Sequence, residues 1–372
     1  MWEPVTRRAP GKLLVAGEYA VLEPGRPAIV VAVDRYVTVT ASAAEGADVV
    51  VDTDLLDHEV PFRRDRGRLR TLAPADTEHA RGTLAHLVST VEVVERLRAE
   101  QGLPLTPLRL TVRSGLHERG VKVGLGSSAA VTVATTEAVT DLYGMRLPRE
   151  DRFRLALLSS VRIDAGPSGA DLAASTWHGW IAYRAPDRGV LRRSLRHNGV
   201  SKTLASPWPD LSIRTLPPPR GLDLRVGWSG SPASTSALVA DLTASAWWRG
   251  TARTGFLAES ERCVTAGVRA LERGEPDGLL DAVRTARHLL ARMDAAVSLG
   301  LFTERLTRLC DAAEACGGAA KPSGAGGGDC GIALLPDRHP PSALRTRWAR
   351  AGITTLPLRV TDPPSLSPRG HP

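Results

Sequence analysis

A glycine- and serine-rich segment, residues 124–130, has the composition of an anion-binding loop. It reads GLGSSAA and is followed by a run of helix-forming residues. Gly124 and Gly126 allow backbone amides to approach a ligand without a Cβ atom in the way. Ser127 or Ser128 can cap the following helix, whose first-turn amides and dipole attract an anion. The segment therefore predicts a phosphate cradle, and the alternative is a tight turn with an ordinary serine cap.

The surrounding sequence has the elements that such a cradle needs. Leu108, Leu110 and Val112 alternate with polar residues upstream, which is the period of a half-buried strand. A strand, a glycine loop and a capped helix form an arrangement that binds phosphate. The two adjacent hydroxyls also suit a magnesium ion, because Mg²⁺ prefers hard oxygen ligands and usually binds together with phosphate.

Two further segments carry a resemblance to a known enzyme family. Residues 9–19 read APGKLLVAGEY, and residues 321–331 read KPSGAGGGDCG. Together with residues 124–130, and in this order, they resemble the GHMP family of small-molecule kinases, which includes galactokinase, homoserine kinase, mevalonate kinase and phosphomevalonate kinase. The resemblance implies an α+β fold of two domains, a ribosomal-S5-like N-terminal domain and a ferredoxin-like C-terminal domain, with the active cleft between them.

The resemblance assigns ATP and Mg²⁺ to the glycine loop. Ser128 is the expected magnesium ligand. In mevalonate kinases a glutamate eleven residues before the catalytic aspartate is also a ligand, but this sequence has Ser160 there. The second protein ligand is therefore left open. The expected ATP contacts are Gly124, Leu125, Gly126, Ser127, Ser128 and Ala129.

Phosphoryl transfer requires positive charge near the transferred group and a residue that orients the acceptor. Residues 167–177 resemble the family segment with the catalytic aspartate, which makes Asp171 the general-base candidate. The residues alone equally allow Asp171 to be the N-cap of a helix that starts at Leu172. By the resemblance, Lys12 pairs with Asp171 and stabilises charge on the transferred phosphoryl group. Outside its APGK context, a solvated surface lysine would be the default interpretation.

Three features resemble the phosphomevalonate branch of the family. Glu18 and Tyr19 stand where galactokinases and mevalonate kinases have Glu-His, residues 227–235 resemble the phosphomevalonate kinase segment, and Asp329 precedes Cys330. This branch implies transfer of the γ-phosphoryl group of ATP to (R)-5-phosphomevalonate, giving 5-diphosphomevalonate. Mevalonate kinase is the alternative. Because the acceptor would be an ionised phosphate oxygen, the catalytic aspartate would chiefly position other groups.

The expected acceptor site draws on several segments. Alternatives remain open for two of them: the serines of residues 231–234 also fit a turn followed by a helix cap, and residues 323–328 also fit a flexible linker. A catalytically inactive sugar or isoprenoid sensor is a further alternative, but it would not need the lysine, serine and aspartate described above. The expected acceptor contacts are Lys12, Glu18, Tyr19, Ser168, Gly169, Ser231, Ser234, Ser323, Gly324, Ala325 and Gly326.

Length and periodicity predict two globular domains. The chain has 372 residues, 42% of them hydrophobic and 24% charged, as in ordinary globular proteins. We place an N-terminal nucleotide-binding domain at 1–220, a C-terminal domain at 221–360 and a disordered tail at 361–372. The proline-rich residues 207–219 are the candidate connector. The periodicity predicts strands over 28–41 and from Trp177 to Tyr183, and helices over 78–100, 149–163, 234–248, 255–273, 277–296 and 303–316.

Charge and cysteine usage exclude other classes. The net charge is +8, but the 48 basic residues include only four lysines, and the arginines are scattered rather than clustered with aromatics. This does not favour a nucleic-acid partner. No apolar run is long enough to span a membrane, no signal-peptide core is present, and the four cysteines lack metal-ligand spacing. We expect a cytoplasmic enzyme, monomeric or homodimeric, with small-molecule partners only.

Overall fold

The computed structural model describes residues 3–118, 121–338 and 341–363. Two sheets and a set of helices account for most of them. The larger sheet and a small hairpin use the N-terminal part of the chain. Their strands are β1 (Val5–Ala16), β2 (Pro27–Ala43), β3 (Val49–Thr53), β4 (Val60–Asp65), β5 (Arg68–Thr71), β6 (Leu108–Ser114), the hairpin strands β7 (His117–Glu118) and β8 (Val121–Lys122), β9 (Trp180–Arg184) and β10 (Ser212–Leu216).

The helices pack against the sheets and against one another. They are α1 (Thr77–Arg81), α2 (Ala85–Glu100), α3 (Ser127–Leu142), α4 (Arg149–Ile163), α5 (Ala170–Trp177), α6 (Arg188–Ala205), α7 (Thr235–Ala244), α8 (Ala246–Arg249), α9 (Ala252–Arg273), α10 (Pro276–Val297), α11 (Glu304–Glu314) and α12 (Pro341–Arg350). Short 3₁₀ turns lie at Ala20–Leu22 and Pro74–Asp76. The smaller sheet contains β11 (Leu222–Trp228), β12 (Ala319–Pro322), β13 (Cys330–Pro336) and β14 (Thr354–Leu356).

The larger sheet has the order β10-β9-β2-β6-β3-β4-β5, and β1 pairs with β2 outside this path. The first half of β2 is buried on both faces, which explains its nearly continuous run of Ala, Ile and Val. Within the described residues, the smaller sheet is antiparallel with the order β12-β13-β11-β14. The chain therefore has the predicted mixed architecture with two separate sheets. The predicted boundary at residue 220 falls between β10 and β11, but its exact position stays a prediction.

Helix α3 packs on β1 and β2 and fixes the position of the glycine loop. Its buried face is made of small residues, mainly alanine and threonine. Thr132, Thr136 and Thr140 each donate a hydroxyl hydrogen bond to the carbonyl four residues earlier, so these three hydroxyls are satisfied within the helix. These short side chains allow the helix axis to lie close to the sheet.

Several predicted boundaries need correction. The predicted helix over 78–100 is two helices, and Trp177 ends α5 rather than starting a strand. The proline-rich connector contains β10, an edge strand, where prolines just outside the paired residues are tolerated. Helix α6 was not predicted. The predicted tail begins too early, because Thr361 is buried and its amide donates to the carbonyl of Ala32, while residues 364–372 lie outside the described residues.

Candidate active site

The glycine loop joins the hairpin strand β8 to helix α3. Gly126 is the N-cap of the helix and lies in the left-handed region with φ 77°. This differs from the prediction that Ser127 or Ser128 caps the helix: both serines lie in its first turn, and the cap residue has no side chain. In the described part of the chain, neither serine hydroxyl nor either serine amide has a hydrogen-bond partner. The amide of Lys12 donates to the carbonyl of Leu125 at 2.9 Å and holds the loop against β1.

Lys12 and Asp171 flank this helix N-terminus. A Cβ atom built on Gly126 would lie 3.1 Å from Cγ and from Cε of Lys12, and 3.6 Å from Cβ of Asp171. Lys12 Nζ lies 3.5 Å from the carbonyl oxygen of Gly124. The structure thus brings together three candidates that the sequence places in three separate segments, and it explains why residue 126 has no side chain.

Asp171 lies in the first turn of α5, after the N-cap residue Gly169. The predicted alternative, an aspartate cap before a helix that starts at Leu172, is therefore wrong. The Asp171 carboxylate accepts a hydrogen bond from the amide of Leu172 at 2.9 Å. Ser175 Oγ donates to the carbonyl of Pro10 at 2.7 Å and ties α5 to the strand that carries Lys12. The helix and strand thus fix the catalytic candidates relative to each other.

Ser168 and Gly169 shape the start of α5. Ser168 Oγ accepts a hydrogen bond from the amide of Ala170 at 3.2 Å, and its carbonyl accepts one from Tyr183 Oη at 2.7 Å. Gly169 has φ 81°, and a Cβ atom there would lie 2.7 Å from Leu157. Both residues are required by the local backbone, and their predicted contact with the acceptor stays a prediction.

Glu18 does not have the open position that was predicted for an acceptor ligand. It is 4% exposed and its Oε1 forms an ion pair with Nζ of Lys321, which is fully buried. Lys321 Nζ also donates to the carbonyl of Pro322 at 2.7 Å. Glu18 Oε2 is buried without a hydrogen-bond partner among the described residues. The ion pair connects residues 9–19, near their end, to β12. We therefore reassign Glu18 from acceptor binding to holding the two domains together.

Tyr19 is also turned inward. Its backbone has φ 59° and ψ −45°, and the amide of Ala20 donates to the carbonyl of Glu18 at 2.6 Å, which defines a γ-turn of the rare, strained kind. Tyr19 Oη donates to the carbonyl of Ala325 at 2.5 Å. Burial, together with the nearby Glu18, raises the pKa of Tyr19 far above its usual value. The phenol therefore positions the C-terminal glycine loop and does not present a free hydroxyl to an acceptor phosphate.

The C-terminal glycine loop, residues 323–328, is structured, so the flexible-linker alternative is wrong. Ser323 Oγ accepts from the amide of Leu14 at 2.9 Å and donates to its carbonyl at 3.0 Å, which leaves no free donor for a substrate. A Cβ atom on Gly324 would lie 3.9 Å from Lys12 Nζ, so this glycine borders the site. Gly326 is also in the left-handed region, with φ 76°. Acceptor contacts of Gly324, Ala325 and Gly326 stay a prediction.

The serine-rich segment after β11 lies beside this loop. Ser234 is the N-cap of α7 and accepts the amide hydrogen of Ala237, so the helix-cap alternative is right for this residue. Ser231 is exposed, and its carbonyl accepts from the amide of Asp329 at 2.8 Å. Among the described residues, the Ser231 hydroxyl has no hydrogen-bond partner, and its contact with the acceptor stays a prediction.

Sequence reasoning missed His86, at the start of α2. Burial lowers its pKa, while the nearby Asp171 opposes that effect. Its Nδ1 is buried without a hydrogen-bond partner in the described ranges. No spacing or motif pointed to this residue, because its proximity to Asp171 arises only from the packing of the helices.

The residues at the helix N-terminus fit a magnesium ion that is held mainly by phosphate oxygens. The Ser128 hydroxyl is uncommitted, and the Asp171 carboxylate supplies a second hard oxygen group near the same helix end. Within residues 3–118, 121–338 and 341–363, no three acidic, histidine or cysteine side chains form a group that would hold a metal by themselves. The donor set thus suits Mg²⁺ bound together with a nucleotide.

Comparison with known proteins assigns the family and the fold. Two family descriptions match: GHMP kinases N terminal domain over residues 86–179 and GHMP kinases C terminal over residues 268–354. A phosphomevalonate kinase of Streptomyces sp. (strain CL190) is 52% identical over 95% of this chain and 96% of its own length. A mevalonate kinase of Thermococcus onnurineus is 27% identical over 96% of both chains. The structure of Streptococcus pneumoniae phosphomevalonate kinase in complex with phosphomevalonate and AMPPNP has a TM-score of 0.84 at 27% identity and covers 96% of this chain and 100% of that one.

Proposed function

This chain belongs to the GHMP kinase family, and we propose that it is an ATP-dependent phosphomevalonate kinase. The reaction transfers the γ-phosphoryl group of ATP to the phosphate of (R)-5-phosphomevalonate and yields 5-diphosphomevalonate and ADP. The relative that is 52% identical over nearly the whole chain supports this acceptor, whereas the mevalonate kinase relatives are about half as similar.

The observation that carries the proposal is the proximity of both Lys12 and Asp171 to Gly126, at the N-terminus of α3. The amides of the first turn of α3 and the helix dipole favour an anion between them. Lys12 supplies a compact positive charge, which stabilises the charge that spreads over the transferred phosphoryl group. The site therefore has the cradle, the cation and the orienting carboxylate that phosphoryl transfer requires.

In this reaction Asp171 orients rather than deprotonates. The acceptor oxygen belongs to a phosphate whose second pKa is about 6, so it is largely ionised at neutral pH. The carboxylate is well placed to fix Lys12 and the acceptor relative to the donor phosphate. A preorganised geometry of this kind accounts for most of the catalysis expected in phosphoryl transfer.

A Mg²⁺ ion bound with ATP would neutralise part of the phosphate charge. We propose that Ser128 holds it, with Asp171 as the adjacent carboxylate, since Ser160 on α4 replaces the glutamate of mevalonate kinases.

We also propose a cytoplasmic location, because all four cysteines are free thiols, as is usual in reducing compartments. In the described ranges, no helix is long and apolar enough to cross a bilayer.

A coupled ADP-release assay tests the function directly. The purified chain is supplied with Mg²⁺-ATP and, separately, with 5-phosphomevalonate, mevalonate, homoserine or galactose. We expect turnover with 5-phosphomevalonate only, and mass spectrometry should identify a diphosphate product. Comparable turnover with mevalonate would replace the proposed function by mevalonate kinase, and turnover with none of the four would refute both.

A further inference from the structure

Asp329 lies between the glycine loop of residues 124–130 and the serine-rich segment of residues 231–234. Its backbone is in the left-handed region with φ 53°, directly after three glycines. Two backbone hydrogen bonds hold it there: its amide donates to the carbonyl of Ser231 at 2.8 Å, and its carbonyl accepts from the amide of Ser229 at 2.9 Å. An aspartate tolerates this conformation better than most residues do, but glycine would be the least strained choice.

On one side, the Asp329 side chain packs against the nucleotide loop. A Cβ atom built on Gly124 would lie 2.5 Å from Asp329 Cβ and 2.7 Å from its Oδ2. The next residue, Cys330, donates its thiol hydrogen to the carbonyl of Val123 at 2.9 Å. The C-terminal domain therefore touches the loop through two consecutive residues, and Gly124 must lack a side chain to admit the aspartate.

On the other side, Asp329 holds the serine-rich segment. Its Oδ1 accepts a hydrogen bond from the amide of Ala233 at 3.1 Å. Ala233 lies between Ser231, whose side chain is free, and Ser234, which caps α7. One side chain thus connects the loop expected to bind the donor phosphates with the segment expected to bind the acceptor phosphate.

The charged groups around Asp329 are compatible with a carboxylate at this location. Burial raises the pKa of Asp329, while the Ala233 amide and the positive charges of Lys12 and Lys122 favour its ionised form. A carboxylate beside polyphosphate would be repelled unless neighbouring cations compensate for it, and the two lysines supply that compensation.

We propose that Asp329 is a positioning residue that sets the distance between the donor and acceptor phosphates, through its hydrogen bond to Ala233 and its contact with Gly124. This inference rests on the proposed phosphomevalonate kinase function. Its failure is distinguishable from a failure of that function, because the wild-type chain with 5-phosphomevalonate tests the function and the variants are compared only with the wild type.

The main experiment compares Asp329→Gly with Asp329→Asn. Glycine suits φ 53°, so Asp329→Gly removes the side chain without adding backbone strain, whereas asparagine keeps an oxygen that can accept the Ala233 hydrogen bond. We expect Asp329→Gly to lower kcat about 30- to 100-fold, since misplacement of about 1 Å has effects of this size. The Kd for Mg²⁺-ADP, measured by calorimetry, should change less than about twofold, and Asp329→Asn should keep kcat within about fivefold of the wild type.

The matched control is Asp210→Gly. It makes the same substitution at a second aspartate with positive φ (69°), which is exposed in the turn before β10, and we expect wild-type kinetics from it. Ala233→Pro removes the same hydrogen bond from the donor side, should lower kcat by a similar factor and should add little to Asp329→Gly in a double variant. The proposal is overturned if Asp329→Gly keeps more than a third of kcat, if Asp329→Asn loses as much as Asp329→Gly, or if Ala233→Pro turns over normally.

Discussion

The buried ion pair between Glu18 and Lys321 allows a quantitative prediction. Lys321 is fully buried and Glu18 is 4% exposed, so neither charge is hydrated in the folded chain. Removing one partner leaves the other charge buried without compensation. The cost of such a change is typically about 3–5 kcal/mol, much larger than for an exposed pair. We therefore expect Lys321→Met to destabilise the fold severely.

This free-energy cost can be converted into an expected decrease in the midpoint temperature of unfolding. About 1 kcal/mol lowers the unfolding midpoint by about 2–4 °C for domains of 150–250 residues, so Lys321→Met should lower it by about 6–20 °C. Glu18→Gln should have a smaller effect than Lys321→Met, because the glutamine side-chain oxygen can still accept a hydrogen bond from Lys321 Nζ, whereas methionine offers the Glu18 carboxylate no donor. The double variant Glu18→Gln/Lys321→Met leaves no unpaired charge and should recover much of the loss, since replacing both partners of a buried pair is often close to neutral.

Circular dichroism during heating measures these midpoints at one pH and one protein concentration. Lys202→Met is the matched control, because Lys202 is exposed on α6 and its loss should leave the midpoint within about 1 °C, as for most surface changes. If Lys321→Met melts within about 2 °C of the wild type, or if the double variant is no more stable than Lys321→Met, then an unpaired charge at this buried position does not carry the expected energetic cost.

The remaining predictions concern the site itself. Asp171→Ala should lower kcat at least about a hundredfold with nearly normal nucleotide binding, and turnover within threefold of wild type would remove Asp171 from the mechanism. Ser128→Ala should raise the Mg²⁺ concentration required for half-maximal turnover, and an unchanged requirement would place the metal elsewhere. Gly126→Val should weaken ATP binding at least about tenfold in calorimetry, because a β-branched residue at φ 77° is strained and its Cβ meets Lys12; normal affinity would refute the cradle. Mevalonate should have a kcat/KM at least about a thousandfold below that of 5-phosphomevalonate, since a site built around phosphate leaves its donors unpaired without it, and equal values would refute the assignment.

The glycine loop and the helix that follows it were predictable because their conformational requirements are local. Residues 124–130 carry in their sequence both the conformational freedom and the amide-rich helix end that a phosphate needs. The strand before it and the helices of the C-terminal half also follow from periodicity, and the structure confirms helices at Ala252–Arg273 and Pro276–Val297 within a few residues of the predicted ranges. Resemblance then placed Lys12 and Asp171 at the same helix end, which no spacing in the sequence reveals.

The roles of Glu18, Tyr19 and Ser323 were not predictable, because they depend on tertiary contacts rather than on local sequence. Each has a side chain that would suit a substrate, and each lies in a segment that borders the cleft. Whether such a side chain points into the cleft or across the domain boundary depends on its tertiary partner: Lys321 for Glu18, the Ala325 carbonyl for Tyr19 and the Leu14 backbone for Ser323. Local sequence carries no information about these partners, because they lie about 300 residues away along the chain.

These three contacts share a physical consequence for the site. They join residues 9–19, which include Lys12, to β12 and the C-terminal glycine loop, and so the position of Lys12 depends on how the two domains pack together. The strained γ-turn at Tyr19 persists because its phenol is held by Ala325, and strain of this kind survives only where surrounding contacts over-determine the backbone. Because catalysis of phosphoryl transfer depends on preorganised charge, we propose that Glu18, Tyr19 and Ser323 act by holding the strand that carries Lys12 in place. On this proposal, buried polar contacts between the two domains matter for catalysis as well as for stability.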